Sequence, residues 1–358
     1  MTYCYSLTYS MVMEKKVAAL LETGFGGRVV HWHEKELASQ ASGRIYKRIF
    51  LTGQNIPETV VLMLSQGATG ELGRKSQTTR SAFLEVQEFL GTEVGLPAIF
   101  TASADGNLVL LEDLGDATLE RCVKSEPGRT SILYGAAVQA LVRMQVLAQS
   151  QRDRACICWN RRFDQQLLFD ELMHWHDYGL CLYLGQQPSA AETSALEEAY
   201  RAIATALAQS PPEFVHRDFQ SRNLMVQGDR IRIIDFQDAL MGSAAYDLVA
   251  LLRDSYVELE ETTLQSLTEQ YMTARTAQGL PLPSDFRRLF WLQTLQRKLK
   301  DAGRFEYIRA VRKNPDFLVH IPASLRYVDA ALVALGADKE WAGIAALIRH
   351  HISAGVLR

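Results

Sequence analysis

The hydrophobic rhythm of the chain changes about a third of the way along. Up to about residue 115, several stretches alternate apolar and polar positions, the two-residue period that turns every other side chain to one face of a strand. Residues 28–32, 43–51 and 59–64 read as strands, and 43–51 alternates apolar with basic side chains as a half-exposed strand does. Together they predict an antiparallel sheet. Two helices are predicted beside it, 14–23, stopping at Gly24, and 80–93. The run Gly24-Phe-Gly-Gly27 follows a helix rather than a strand, so it reads as a cap and turn and not as a phosphate loop. Residues 107–114 read as a buried strand ending among acidic side chains.

Beyond residue 116 the period lengthens to that of helices, predicted at 130–149, 163–180 and 192–210. A β-rich interruption at 214–236 holds three short apolar pieces separated by polar turns, and helices resume at 246–260 and run to the end. The expectation is an α+β, two-lobed molecule. Residues 1–114 form a small antiparallel β-rich lobe, and 115–358 a larger, mainly helical one.

Composition changes little in this picture. With 47% hydrophobic and 22% charged residues over 358 positions, the chain reads as an ordinary globular protein. A net charge of −3 gives no sign of a nucleic-acid or acidic-membrane partner. No obligate protein partner is inferred. No apolar run approaches the roughly 20 residues of a membrane helix, and the opening residues lack the basic start of a signal peptide. The five cysteines form no framework, which points to reduced thiols and a cytoplasmic location. Cys156-Ile-Cys158 lacks metal-site spacing and reads as buried small residues.

The chemistry concentrates in the β-rich interruption. It reads Phe214-Val-His216-Arg217-Asp218-Phe-Gln-Ser-Arg-Asn223-Leu-Met-Val, then Ile233-Ile-Asp235-Phe-Gln-Asp238. A His-Arg-Asp triplet, four residues and an Asn is the spacing of a kinase catalytic loop, and a following apolar strand delivers a second aspartate. Phosphoryl transfer needs a carboxylate to take the acceptor's proton and oxygen ligands to hold Mg²⁺ against the triphosphate of ATP. Three coordinated elements, each flanked by strand-like apolar residues, outweigh a chance triplet in a surface loop.

The stretch from His216 to Asp254, with its Ile-Asp-Phe and later Tyr-Asp-Leu, resembles the protein-kinase-like superfamily of aminoglycoside phosphotransferases and choline kinases. The resemblance implies that Asp218 is the catalytic base, that Asn223 and Asp235 bind magnesium, and that Asp247 braces the catalytic loop of His216 and Arg217. Further stretches are similar to the bacterial anomeric kinases for N-acetylmuramate and N-acetylglucosamine: Leu111–Asp116, Phe163-Asp164 with Glu171 and Trp175, Ala250–Asp254 and Gln296–Gly303. They imply an amino-sugar acceptor in cell-wall recycling. Choline, homoserine or an aminoglycoside remain alternative acceptors, and a catalytically silent binding module is a third reading.

On the nucleotide side, the resemblance places a phosphate-covering loop near Ser42, Gly43 and Arg44, and a hinge at 111–114 where the backbone of Glu112 and Leu114 would meet adenine. The third strand, Val60-Val-Leu-Met63-Leu, offers no lysine to the phosphates, so Arg44, Lys47 or Arg48 is the candidate cation in its place, and the lysine that usually pairs with a glutamate of the next helix, Glu85 or Glu88, is not in that strand. His174-Trp-His176 sets its imidazoles about 200° apart on a helix, which suits no shared metal. His350-His351 reads as surface.

Overall fold

A computed structural model describes residues 2–37, 44–65 and 81–356, with side chains described between residues 12 and 353. The chain divides into two compact units, Met1–Asp116 and Ala117–Arg358. In the first, helix α1 (Thr2–Phe25) ends at Gly26 and Gly27, both in the left-handed region, φ 60° and 70°. Strands β1 (Val29–Glu36), β2 (Arg44–Gly53) and β3 (Thr59–Ser65) follow, then helix α2 (Ala82–Leu90) and strands β4 (Ile99–Ala102) and β5 (Leu108–Glu112). The antiparallel sheet has the order β1-β2-β3-β5-β4, in register at Tyr46↔Met63 and Leu62↔Leu110. Val17, Leu20, Leu21 and Phe25 of α1 share one buried cluster with Ile49, Leu51, Val60, Leu62 and Leu110 of the sheet. Each such side chain contributes roughly 1.5–3 kcal/mol by leaving water, which holds α1 on the sheet. The expected sheet is present, with β4 added to it.

The second unit is helical apart from two small ladders. It runs α3 (Leu119–Ser125), α4 (Thr130–Ser150), α5 (Gln165–His174), a widened π-helical segment (Trp175–Tyr183) and α6 (Ala190–Gln209). Strands β6 (Glu213–Val215), β7 (Leu224–Gln227), β8 (Arg230–Ile233) and β9 (Leu240–Gly242) come next, β6 pairing with β9 and β7 with β8. Helices α7 (Tyr246–Leu252), α8 (Glu261–Ala277), α9 (Phe286–Arg312), α10 (Ile321–Gly336) and α11 (Ala342–Val356) complete it. The long α9 packs against α5, the π segment, α7 and α10. Contrary to the expectation that no apolar run approaches membrane-helix length, Pro127–Ser150 and Leu318–Gly336, which contain α4 and α10, are long and apolar enough to cross a bilayer by composition. In α4 that apolarity is spent on the core, where Leu133, Val138, Leu141 and Met144 are buried.

Two of the expected helices are corrected. The helix expected over 246–260 stops at Leu252, because Asp254 turns back to cap the Tyr256 N–H (3.0 Å) and to hold Ser221, and α8 starts afresh at Glu261. The helix expected over 163–180 changes winding at Trp175, where Gly179 lies under the indole; a Cβ there would sit 1.9 Å from the Trp175 ring.

Candidate active site

Strand β6 is buried at Phe214 and Val215 and delivers the loop that begins at His216. The loop closes on itself, since the Asn223 N–H donates to the Gln220 carbonyl (2.8 Å). It then enters the β7–β8 hairpin, in register at Leu224↔Ile233. Ile234 N–H donates to the Asn223 carbonyl (3.0 Å) just beyond that register, so Asn223 and Asp235, twelve residues apart, become neighbours. The Asn223 Nδ2 donates to the Asp218 carbonyl (2.9 Å) and lies 3.5 Å from Asp235 Oδ2. Asp218, Asn223 and Asp235 are thus assembled from one loop and one hairpin.

His216 joins the two. Its ring is fully buried, with Nε2 3.1 Å from the Ile234 carbonyl and Nδ1 3.3 Å from the Asp218 N–H. Only a neutral imidazole protonated on Nε2 donates to the first and accepts from the second. Burial provides it, pushing the ring's pKa down to about 4.

Buried carboxylates on both flanks of α7 grip the loop. Asp247 accepts from the His216 N–H (2.6 Å) and the Arg217 N–H (3.0 Å), and burial pushes its carboxyl up to about 7 against those two donors. Asp254 accepts from the Ser221 N–H (2.8 Å) and from the Ser221 hydroxyl. Between these grips Arg217 adopts φ 81°, and Asp235 adopts φ 65°. Such left-handed backbone in residues with a Cβ costs on the order of 1–3 kcal/mol, and the surrounding hydrogen bonds hold it.

From α9 come further charges. Arg297 donates to the Arg217 carbonyl (2.9 Å) and lies 3.7 Å from Asp218 Oδ1; Gln296 donates to Glu171 of α5 (2.8 Å). Burial works to raise the Asp218 carboxyl, but Lys300, Arg297 and Arg217 outweigh it and hold it below the ordinary carboxylate range. The Asp218 side chain is about a third exposed, so an ionised carboxylate is open to an incoming hydroxyl.

A divalent ion has suitable donors in Asn223 and Asp235. The Asn223 amide spends its N–H on Asp218 and Asp235, leaving its oxygen for a hard cation. Among the described residues no three His, Cys, Asp or Glu side chains gather to cage a metal unaided. Mg²⁺ takes one or two protein oxygen ligands and completes its shell with phosphate oxygens and water. Gln237 holds the Asp235 carboxylate through Nε2 (2.8 Å).

The nucleotide-side candidates lie in the first unit. Ser42 and Gly43 fall outside the described residues. Arg44 opens β2 opposite Ser65, and Lys47 ion-pairs with Glu34. Arg48 binds Asp113 (2.6 Å) and Asp116 (3.0 Å) at once, which raises its pKa further. The Glu112 carboxylate accepts from the Ala98 N–H (3.0 Å), and Leu114 is buried. Glu85 and Glu88 lie on α2. His174 rests against Tyr178 and Tyr307 (4.7 and 5.2 Å between centroids), whereas His176 turns to Asp177. Of the last histidines, His351 is buried and not on the surface as expected.

Sequence reading named Gln296–Gly303 and Asp254 by resemblance but gave them no task at the site. Their contacts with the loop span dozens of residues, and no local spacing announces them.

The model of the phosphotransferase enzyme family matches residues 34–282. A Neisseria meningitidis serogroup B protein named N-acetylmuramate/N-acetylglucosamine kinase is 31% identical over 251 residues, 69% of this chain and 73% of that protein. A Pseudomonas aeruginosa protein of the same name is 30% identical over 254 residues, 70% of this chain and 72% of its own length. Among solved structures, a choline kinase from Cryptosporidium parvum superposes with a TM-score of 0.59 at 12% identity, covering 87% of this chain and 93% of that one.

Proposed function

Because the chain belongs to the phosphotransferase enzyme family, we propose that it transfers the γ-phosphoryl group of ATP, with Mg²⁺, to the anomeric hydroxyl of N-acetylmuramate or N-acetylglucosamine, as in cell-wall recycling. The observation that carries this reading is the joining of Asp218, Asn223 and Asp235 through His216 and the β7–β8 hairpin. Asp218 accepts the proton of the attacking hydroxyl and orients it. Asn223 and Asp235 hold Mg²⁺, which neutralises the phosphate charge. His216, Arg217 and Asp247 keep the loop in shape. Residues 1–114 are assigned to nucleotide binding, through 42–44, Lys47, Arg48 and the backbone at Glu112 and Leu114. Residues 115–358 are assigned to catalysis and the acceptor.

The amino-sugar acceptor is supported by the names of the relatives and by charge. Lys300, Arg297 and Arg217 act together on the Asp218 carboxyl, with Arg297 3.7 Å from its Oδ1, and this positive charge supports a neutral or anionic acceptor over a cationic one such as choline. A chain whose five cysteines form no disulfide framework fits a cytoplasmic enzyme. A silent binding module has no chemical need for all three site residues together.

The test is turnover of MgATP over a panel of amino sugars, with Asp218→Asn beside the wild type. Expected are phosphorylation at C1 by the wild type and a loss of about 10²–10⁴-fold in kcat in the variant, the usual worth of a positioned base, with MgATP binding retained. No transfer to any hexosamine or muramic-acid derivative overturns the acceptor. Full turnover by Asp218→Asn overturns the base.

A further inference from the structure

Helix α9 buries a run of polar side chains, Gln293, Thr294, Gln296, Arg297 and Lys298. A charge removed from water costs several kcal/mol unless partners compensate it, so each needs a local explanation. Lys298 has one in Asp301 (2.6 Å) and the Ser255 hydroxyl (3.0 Å). Arg297 is different. It is 2% exposed, its Nε makes no hydrogen bond, and the nearest carboxylate to that nitrogen, Asp301, is 3.9 Å away. What its guanidinium does meet is the catalytic loop: Nη1 donates to the Arg217 carbonyl (2.9 Å) and Nη2 lies 3.7 Å from Asp218 Oδ1. The ring of Tyr246 lies 4.8 Å away and backs the group.

The Arg217 carbonyl belongs to the peptide that leads directly into Asp218. Its orientation sets the direction in which the Asp218 side chain leaves the backbone. Arg217 is the loop residue at φ 81°, with its N–H already held by Asp247. A strained residue persists only where the surrounding structure over-determines it. Asp247 from α7 holds the Arg217 N–H and Arg297 from α9 its carbonyl. The same guanidinium steadies the carboxylate one residue on.

We propose that Arg297 is a positioning residue for phosphoryl transfer, fixing the peptide before Asp218 through a hydrogen bond and keeping its charge beside the Asp218 carboxylate. The proposal rests on the reading of Asp218 as the proton acceptor, and it explains why the arginine is tolerated in the core of α9. A lysine in its place keeps the charge but is a point donor, which cannot bond the Arg217 carbonyl and at the same time place its charge where the second guanidinium nitrogen stands.

The test compares wild type, Arg297→Lys and Arg297→Ala in steady-state turnover of MgATP and the acceptor that the wild type uses. Thermal unfolding is measured alongside, and kcat is expressed per folded molecule. Misplacing a reacting group by about 1 Å costs about 10²-fold. Arg297→Ala is expected to lose about 10²-fold in kcat with both KM values within a few-fold of wild type, and added guanidinium ion to restore part of the loss. Arg297→Lys, the variant more certain to fold, is expected to lose about tenfold in kcat, again with little change in KM. Arg297→Lys at wild-type kcat overturns the proposal. So does an Arg297→Ala loss that vanishes per folded molecule or that guanidinium leaves untouched. An inactive wild type would refute the proposed function instead, so the two failures are told apart.

Discussion

At the scale of the residue, His216 carries the clearest pH signature. Its ring is neutral in the fold because burial has taken its pKa to about 4, against about 6.5 in an unfolded chain. Between those values the unfolded state binds the proton and the folded state does not, so stability is full above about pH 6.5 and falls as the pH drops toward 4. At pH 4.5 the loss from this one group is roughly 2 kcal/mol. Asp247, raised to about 7, acts in the opposite sense over an overlapping range and masks part of the slope in the wild type. The difference between wild type and His216→Asn cancels Asp247. Urea unfolding at pH 7 and pH 4.5 should show the wild type losing roughly 2 kcal/mol more than the variant on acidification; equal losses refute the neutral, buried imidazole. This residue was legible from sequence because His216, Asp218 and Asn223 lie within eight positions and their spacing is itself the signal. Arg297 was not. It meets Arg217 across 80 residues, and an arginine in a helical stretch reads as a solvated side chain until the fold buries it.

At the scale of the element, sheet strands with clear alternation were readable, and the ones missed are short. Strand β4 has four residues and β9 three, too few for a period to declare itself, and both exist because a partner strand is already in place. The end of α7 was overrun because apolar spacing continues past Leu252, whereas Asp254 is drawn off the helix by Ser221. The approach of α9 to the π segment was likewise invisible in sequence, though Gly303 marks it. A Cβ there would come within 2.8 Å of the Trp175 Cα and 3.2 Å of the His174 carbonyl oxygen, neither of which can rotate away. Gly303→Ala should therefore cost about 1–3 kcal/mol through overpacking. Gly336→Ala, at the end of α10 with nothing within 4 Å of the added methyl, should be neutral or stabilise by up to about 1 kcal/mol. Differential scanning of the two variants checks the pair. An unchanged melting temperature for Gly303→Ala would mean that α9 and the π segment do not pack as closely as described.

At the scale of the whole molecule, the acceptor is the question that ligand linkage answers most directly. A compound that binds only the folded chain stabilises it by RT ln(1 + [L]/Kd), about 2.7 kcal/mol at a hundred times Kd, whatever the chemistry it later undergoes. A non-hydrolysable ATP analogue with Mg²⁺ should raise the melting temperature by several degrees, and the increment should fall when Asp235→Asn weakens the ion's carboxylate ligand. Adding N-acetylmuramate or N-acetylglucosamine at saturating concentration to that complex should raise it again. Choline or kanamycin should add little, because the positive charge of Lys300, Arg297 and Arg217 acts on the Asp218 carboxylate that a cationic acceptor would have to approach. A charge as buried and as close as that of Arg297 is screened much less by salt than exposed, distant ones, so that discrimination should persist as salt rises. The rank order is therefore measured at low and high ionic strength. A larger shift with choline or kanamycin than with either sugar, at both salt concentrations, would overturn the amino-sugar assignment while leaving the phosphotransferase family and the Asp218, Asn223 and Asp235 set intact.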